Sequence, residues 1–225
     1  MLNCSRSYDY GQLSEEGFYD LPHGMLATVV THLEMRNRPP EKERIGNTGI
    51  QIEHSPQISV DDYRAIYRQV GEDWLWFLRM AMSDQQLTDT IHHYLVDVFR
   101  LLVDGKAAGL LELDFRANGE CEIAFFGLSE DHTGRGLGSW LMSEAIEIAW
   151  SQSIARLWLH TCTFDHPGAL AFYQKHGFFP FKQEIELVKD PRLDGTLPKH
   201  AAKHIPMIAK PTGWPIQSGE HCAAT

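Results

Sequence analysis

Two hydrophobic periods divide this chain. After Ser59-Val60-Asp61-Asp62, the apolar residues Tyr63, Ile66, Tyr67 and Val70 recur every three or four places. Leu87 and Ile91 do the same after Ser83-Asp84-Gln85-Gln86. A serine followed three places on by a carboxyl or amide side chain can satisfy the free N–H groups of a helix start. Two capped, amphipathic helices are therefore predicted. From Val96 the pattern changes to short strands. Segment 96–103 meets 107–115 across Asp104-Gly105, and 107–115 meets 121–128 across Asn118-Gly119. Both dipeptides suit tight hairpin turns, so a three-stranded antiparallel meander is predicted. Upstream, 25–34 is rich in Val, Thr and Leu and reads as a strand closed by Arg38-Pro39-Pro40, with a short strand at 50–52.

Beyond the meander, Leu137, Leu141, Ala145 and Ile148 mark an apolar helical face, and Ser143, Glu147 and Ser151 a wet one. Segment 157–162 is the next strand. A strand, a helix and a strand in that order imply parallel pairing through a right-handed crossover. Asp165-His166-Pro167 opens a short helix that Gly177 ends, and 178–188 returns as a strand. The expected organisation is an arm at 1–22, one α/β domain with a mixed sheet at 23–190, and a tail at 191–225. That tail, rich in Pro, Gly and His, wraps the surface or frays.

A chain of 225 residues, 43% hydrophobic, suffices for one core. Its net charge of −10 argues against a nucleic-acid or anionic-membrane partner and mildly favours amine-bearing ones. Cys4, Cys121, Cys162 and Cys222 form no C-x-x-C pair, which fits reduced thiols and a cytoplasmic location. No segment has the length of a membrane span, and the polar first twenty residues lack the apolar run of a signal peptide. An edge strand or the aromatic block at 63–77 leaves room for a homodimer face.

The chemistry concentrates in Thr133-Gly134-Arg135-Gly136-Leu137-Gly138-Ser139. Its glycines leave the backbone uncrowded, and a helix follows at once. Amide N–H groups and the positive end of the helix dipole can then converge on a phosphate. Downstream stands Ala169-Leu170-Ala171-Phe172-Tyr173-Gln174-Lys175-His176-Gly177-Phe178. Meander, phosphate turn, parallel strand and this second string, in that order, resemble the GCN5-related N-acetyltransferase (GNAT) family, best over 96–185. Gly136-Leu137-Gly138 matches the second half of the family's coenzyme A signature, and Thr133 replaces its usual Arg or Gln.

The resemblance implies a GNAT fold: the meander, then a βαβ coenzyme A unit whose parallel strands splay apart. It implies acetyl-CoA as co-substrate, no metal, and direct transfer of acetyl to a primary amine on a small molecule or peptide. The coenzyme would meet Phe126, Gly127 and Leu128 on the strand, residues 133–139 at the turn, with Arg135 adding charge, and His166 where the family often has asparagine. Glu122, in Glu122-Ile123-Ala124-Phe125-Phe126, holds the place of the family's catalytic glutamate and would act as base through water, with Glu112 as competitor. Tyr173 would be the acid, since a phenol of ordinary pKa about 10 keeps its proton at neutral pH. The region carrying Tyr63, Tyr67, Trp74, Trp76, Phe77 and Arg79 would roof the acceptor site. Tyr67, Trp76, Arg79, Glu112 and His160 are its candidate acceptor contacts, Arg79 toward a substrate carboxylate.

Other readings stand beside this one. His160 and Cys162 alternate on one strand and could form a Cys–His nucleophile pair. His160 to Asp165 misses the H-x-x-x-D acyltransferase spacing by one. His200 and His204 have i, i+4 spacing without the glutamate of a zinc helix. A catalytically silent acyl-CoA-binding or interaction module on the same fold is the alternative function, and succinyl-CoA an alternative donor.

Overall fold

The computed structural model describes residues 16–40 and 49–209. Seven strands form one mixed sheet: β1 Met25–Met35, β2 Ile50–His54, β3 Val96–Val103, β4 Lys106–Asp114, β5 Glu120–Leu128, β6 Arg156–Cys162 and β7 Phe179–Lys189. Four helices accompany them: α1 Val60–Gly71, α2 Asp84–Ile91, α3 Leu137–Ser151 and α4 Ala169–Lys175. The strand order is β2-β3-β4-β5-β6-β1-β7. The meander β3-β4-β5 is antiparallel, and β5-β6, joined by α3, is parallel.

Local chemistry accounts for most of these boundaries. Ser59 Oγ accepts the Asp62 N–H at 3.0 Å at the start of α1. At α2, Ser83 Oγ accepts the Gln86 N–H at 3.3 Å while Gln86 Oε1 accepts the Ser83 N–H at 2.9 Å. The β3-β4 turn places Asp104 at φ 49° and Gly105 at φ 75°, the left-handed pair that a two-residue hairpin requires. The short helix begins at Ala169, two residues after Pro167, with Gly168 as its first flanking residue.

The sheet has a core on each face. On one, α3 packs against Leu33 of β1, Leu111 of β4, Ile123 of β5 and Leu159 of β6. The buried stripe of α3 is broader than its leucines suggest: Met142, Ile146 and Ala149 are buried and Ile148 only partly so. On the other face, α1 and α2 bury Tyr63, Ile66, Leu87 and Ile91 against Val96, Val98 and Leu110.

Two features open the middle of the sheet. First, β5 and β6 pair only at Glu120↔Arg156, Cys121↔Leu157 and Glu122↔Trp158. Second, β5 carries a bulge at Ala124: Ile123 faces Leu113, whereas Phe125 faces the next residue back, Glu112. An extra residue bends and twists a strand, and it does so just where β5 leaves β6.

β1 lies between β6 and β7, antiparallel to both, so the N-terminal strand completes the C-terminal half of the sheet. The segment after β7 wraps the surface as far as it is described. Leu197, Ala201 and Ala202 are buried beside Leu26 and Leu75. Arg192 pairs with Asp190 at 2.7 Å and donates to the carbonyls of Ala201, Ala202 and Ile205. Of the four cysteines, Cys121 is buried and Cys162 half-buried, both as free thiols. Cys4 and Cys222 lie outside the described residues, as do residues 1–15 of the expected arm and 210–225 of the expected tail.

Candidate active site

Where β5 and β6 part, a cavity of about 680 Å³ opens. One end is the glycine turn. Gly134 and Gly136 have φ of 73° and 79°, and no atom stands within 4 Å of where a side chain would begin. Glycine is needed here for backbone shape, and its missing side chain leaves the space in front of the turn open. Gly136 flanks the start of α3, and no side chain caps that helix. The first amides of α3 are left for a ligand, at the positive end of a fifteen-residue helix dipole.

Gly134, Gly136, Gly138, Ser139 and Thr133 line this end of the cavity. The Thr133 hydroxyl donates to the Glu130 carbonyl at 2.9 Å, so Thr133 contributes backbone more than side chain. Leu137 is buried in the α3 core, and Arg135 is exposed beyond the lining. His166 reaches the wall from the α4 side, where its Nδ1 accepts the Gly168 N–H at 3.0 Å and its ring meets Trp74 edge-on.

The waist runs between the diverged part of β5 and α4. Phe126, Gly127 and Leu128 line it. A side chain on Gly127 would stand 2.4 Å from Val70 Cγ1, so only glycine lets α1 pack on this strand. Phe126 stacks on Phe172 with ring centroids 5.7 Å apart, and Tyr173 lies across it at 6.3 Å. Tyr173 lines the cavity, and no described residue hydrogen-bonds its hydroxyl. Burial pushes this phenol further up from its ordinary pKa.

Beyond the waist the wall is aromatic above and mixed below. Tyr67 and Trp76 form part of the roof, their rings 5.4 Å apart. A left-handed backbone turn at Leu75, φ 53°, sets Trp74 and Trp76 on the cavity. His160, Cys162, Glu186 and Val188 line the opposite side. Glu122 stands at the fork, the last β5 residue paired with β6. It is not itself in the lining, but its Oε1 lies 3.4 Å from His160 Nδ1. The Glu122 carboxylate, chiefly, holds the imidazole above its ordinary pKa, against the opposing effect of burial. The His160 side chain keeps 42% of its surface exposed, so the imidazole is accessible from the cavity.

Glu112 and Arg79 are placed elsewhere. Glu112 is fully buried behind the roof, where Arg79 Nη2 donates to it at 2.5 Å and the Tyr63 hydroxyl donates to its other oxygen. Neither residue lines the cavity. The Arg79 N–H also reaches the Tyr67 hydroxyl at 3.4 Å, and its guanidinium lies 4.9 Å from the centre of the Phe125 ring. The trio thus braces the roof from behind. His200 pairs with Glu72 at 3.0 Å while His204 packs on Trp74. Among the described residues, no three His, Cys, Asp or Glu side chains converge as a metal site, and no helix is long and apolar enough to cross a membrane.

Sequence reasoning did not single out Glu186, Val188, Phe164 or Leu75, all of which line the cavity. The alternation Glu184-Ile185-Glu186-Leu187-Val188 shows that Glu184, Glu186 and Val188 share a face, but not that the face looks into the site.

A family model described as the acetyltransferase (GNAT) family matches residues 60–178, more than half of the chain. No curated protein matches the sequence. Among solved structures, a GCN5-related N-acetyltransferase from Sphaerobacter thermophilus is similar at 16% identity and TM-score 0.55, covering 73% of this chain and 52% of its own. A functionally unknown conserved protein from Staphylococcus epidermidis is similar at 14% identity and TM-score 0.52, covering 74% of this chain and 63% of its own. A tandem GNAT protein from the clavulanic acid biosynthesis pathway is similar at 14% identity and TM-score 0.54, covering 75% of this chain and 55% of its own. The chain therefore spans between half and two thirds of the length of these structures, and the likeness is one of fold.

Proposed function

The chain belongs to the acetyltransferase (GNAT) family, and we propose that it moves acetyl from acetyl-CoA directly to a primary amine. One observation carries the reading: a single cavity joins an uncapped, glycine-fronted helix start to a tyrosine hydroxyl with no partner among the described residues and a histidine faced by a glutamate at 3.4 Å.

The residues present fit the coenzyme. The open turn at Gly134 and Gly136 and the first amides of α3 would hold the pyrophosphate, which bulk charge in so acidic a chain does not favour. Beyond Glu122, the side of β5 that faces β6 has no ladder partner, so its backbone groups can bind the pantetheine amides. Bound there, acetyl-CoA would supply a thioester open to attack by a neutral amine. By the family pattern, a backbone N–H near Phe126 polarises the carbonyl.

His160 takes the amine proton on its cavity-facing imidazole, and Glu122 stabilises the imidazolium that results. His160 is thus the base in this scheme, and Glu122, the glutamate expected as base from the resemblance, acts behind it. Tyr173 supplies the proton that the departing thiolate needs, and its raised pKa keeps that proton in place until then. Tyr173→Phe should lower kcat about 10- to 100-fold with little change in KM for acetyl-CoA. Steady-state kinetics on the two proteins measures the split, and an unchanged kcat removes Tyr173 from the scheme.

The Cys162 route has less support. Burial raises the Cys162 thiol above its ordinary pKa, which disfavours the thiolate a nucleophile requires. Intact-protein mass after incubation with acetyl-CoA alone should show no acetyl on the chain. Cys162→Ala should keep the rate within about threefold of the parent. An acetylated Cys162 on the timescale of turnover would replace direct transfer by a two-step exchange.

A further inference from the structure

Among the described residues, Glu186 is the unmatched charge of the cavity. The other carboxylates on or beside this wall have partners: Glu122 faces His160, Glu184 accepts from His32 and Lys182 at 2.7 Å each, and Asp165 accepts from the Thr161 hydroxyl and the Cys162 N–H. Glu186 makes no hydrogen bond or ion pair with any described residue. Its cross-strand neighbour on β1, Thr28, shares a hydrogen bond with the Thr163 hydroxyl instead, at 2.8 Å. No lysine or arginine lines the cavity among the described residues.

The surroundings sharpen that charge. Val188, two residues along β7, belongs with Phe164, Phe77 and Leu75 to an apolar cluster at this end of the site. A half-buried carboxylate against such a wall interacts with a cation more strongly than one in open water. His160 and Glu186 sit on strands separated by β1, with rows four residues apart along it. Strand spacings of about 4.8 Å across and 3.3 Å along put their Cα atoms roughly 16 Å apart, and both side chains reach into the cavity from those positions. The Glu186 charge is also felt at the His160 imidazole.

Resting on the acetyl-transfer reading, we infer that Glu186 is the counter-ion for a second cationic group on the acceptor, which makes the acceptor class an alkyl diamine or a longer amine with similar spacing. The reacting nitrogen stands at His160, an apolar stem lies along Phe164 and Val188, and the far ammonium meets Glu186. A monoamine fills the same stem and leaves Glu186 unpaired, so selection acts against it.

The test compares 1,5-diaminopentane with 5-amino-1-pentanol, equal in length and differing in the distal charge, in thiol release from acetyl-CoA. The parent protein should favour the diamine by about 10-fold in kcat/KM, and Glu186→Gln should bring that ratio close to 1, chiefly through the diamine KM. Glu186→Asp should keep most of the preference. Because the readout is a ratio within one protein, a general loss of folding does not imitate it. A parent ratio near 1, or a Glu186→Gln ratio equal to the parent's, overturns the inference and leaves acetyl transfer standing. Acetyl-CoA binding without thiol release to any amine instead overturns the acetyl-transfer reading, and this inference with it.

Discussion

Glu122→Gln should lower kcat/KM for amine acetylation about 10²- to 10³-fold and move the acidic limb of the pH profile to lower pH. The size follows from what the carboxylate does. In the proposed scheme it faces the His160 imidazole at 3.4 Å and stabilises the positive charge that would appear there when the amine gives up its proton. The direction in pH follows from the sign of the perturbation. His160 works as a base only when neutral, so activity falls as pH drops through its pKa. The Glu122 carboxylate, the largest influence on that pKa, holds it above the ordinary 6.5. The parent limb should therefore lie above pH 6.5 and the variant limb below the parent's. His160→Ala should cost about as much as Glu122→Gln, and the double variant little more than either, because the two side chains act as a unit. Profiles of kcat/KM against pH on the four proteins decide this. A full-size loss in Glu122→Gln with an unmoved limb would mean that Glu122 does not set the His160 pKa and would overturn the coupling.

Gly136→Asp should weaken acetyl-CoA binding about 100-fold while costing the fold only about 1 to 2 kcal/mol. Gly136 sits at φ 79° with open space where a side chain would begin, so no neighbour needs to move. Asp is among the residues that tolerate a left-handed backbone. A carboxylate there would occupy the positive end of α3 and repel the pyrophosphate expected at the same amides. Calorimetric titration with acetyl-CoA measures the first effect and thermal unfolding the second. Gly136→Ala separates shape from charge, since it carries the backbone strain without the repulsion. Equal losses from Ala and Asp would mean that the turn's conformation, not its electrostatics, governs binding.

The parts of this molecule that local chemistry dictates were legible in the sequence. Ser59 and Ser83 cap their helices, Asp104-Gly105 makes the tight hairpin, and the glycine turn opens directly into α3. The parallel step from β5 to β6 followed from the crossover alone. What stayed hidden depends on partners distant in sequence. The strand at Met25–Met35 was recognisable, but its place between β6 and β7 is set by pairing with Cys162 and Lys189, more than a hundred residues away. Nothing in Glu122-Ile123-Ala124-Phe125-Phe126 announces the bulge at Ala124, which decides which side chains face α1 and which face α3. Arg79 and Glu112 read as two candidate acceptor contacts because their ion pair forms only once α1 and the 75–82 segment close over β4. His160 could be placed on a strand, but its pairing with Glu122 depends on the register of β5 with β6.

In the proposed function this cavity binds acetyl-CoA and passes its acetyl group to an amine. Free-thiol release from acetyl-CoA by the purified chain, over diamines and polyamines, amino acids, aminoglycosides, arylamines and lysine or N-terminal peptides, tests it most directly. Amine-dependent release on at least one of these, lost in Glu122→Gln, is the expected result. Acetyl-CoA binding with no amine-dependent release across the panel would contradict it and mark the chain as an acyl-CoA-binding module.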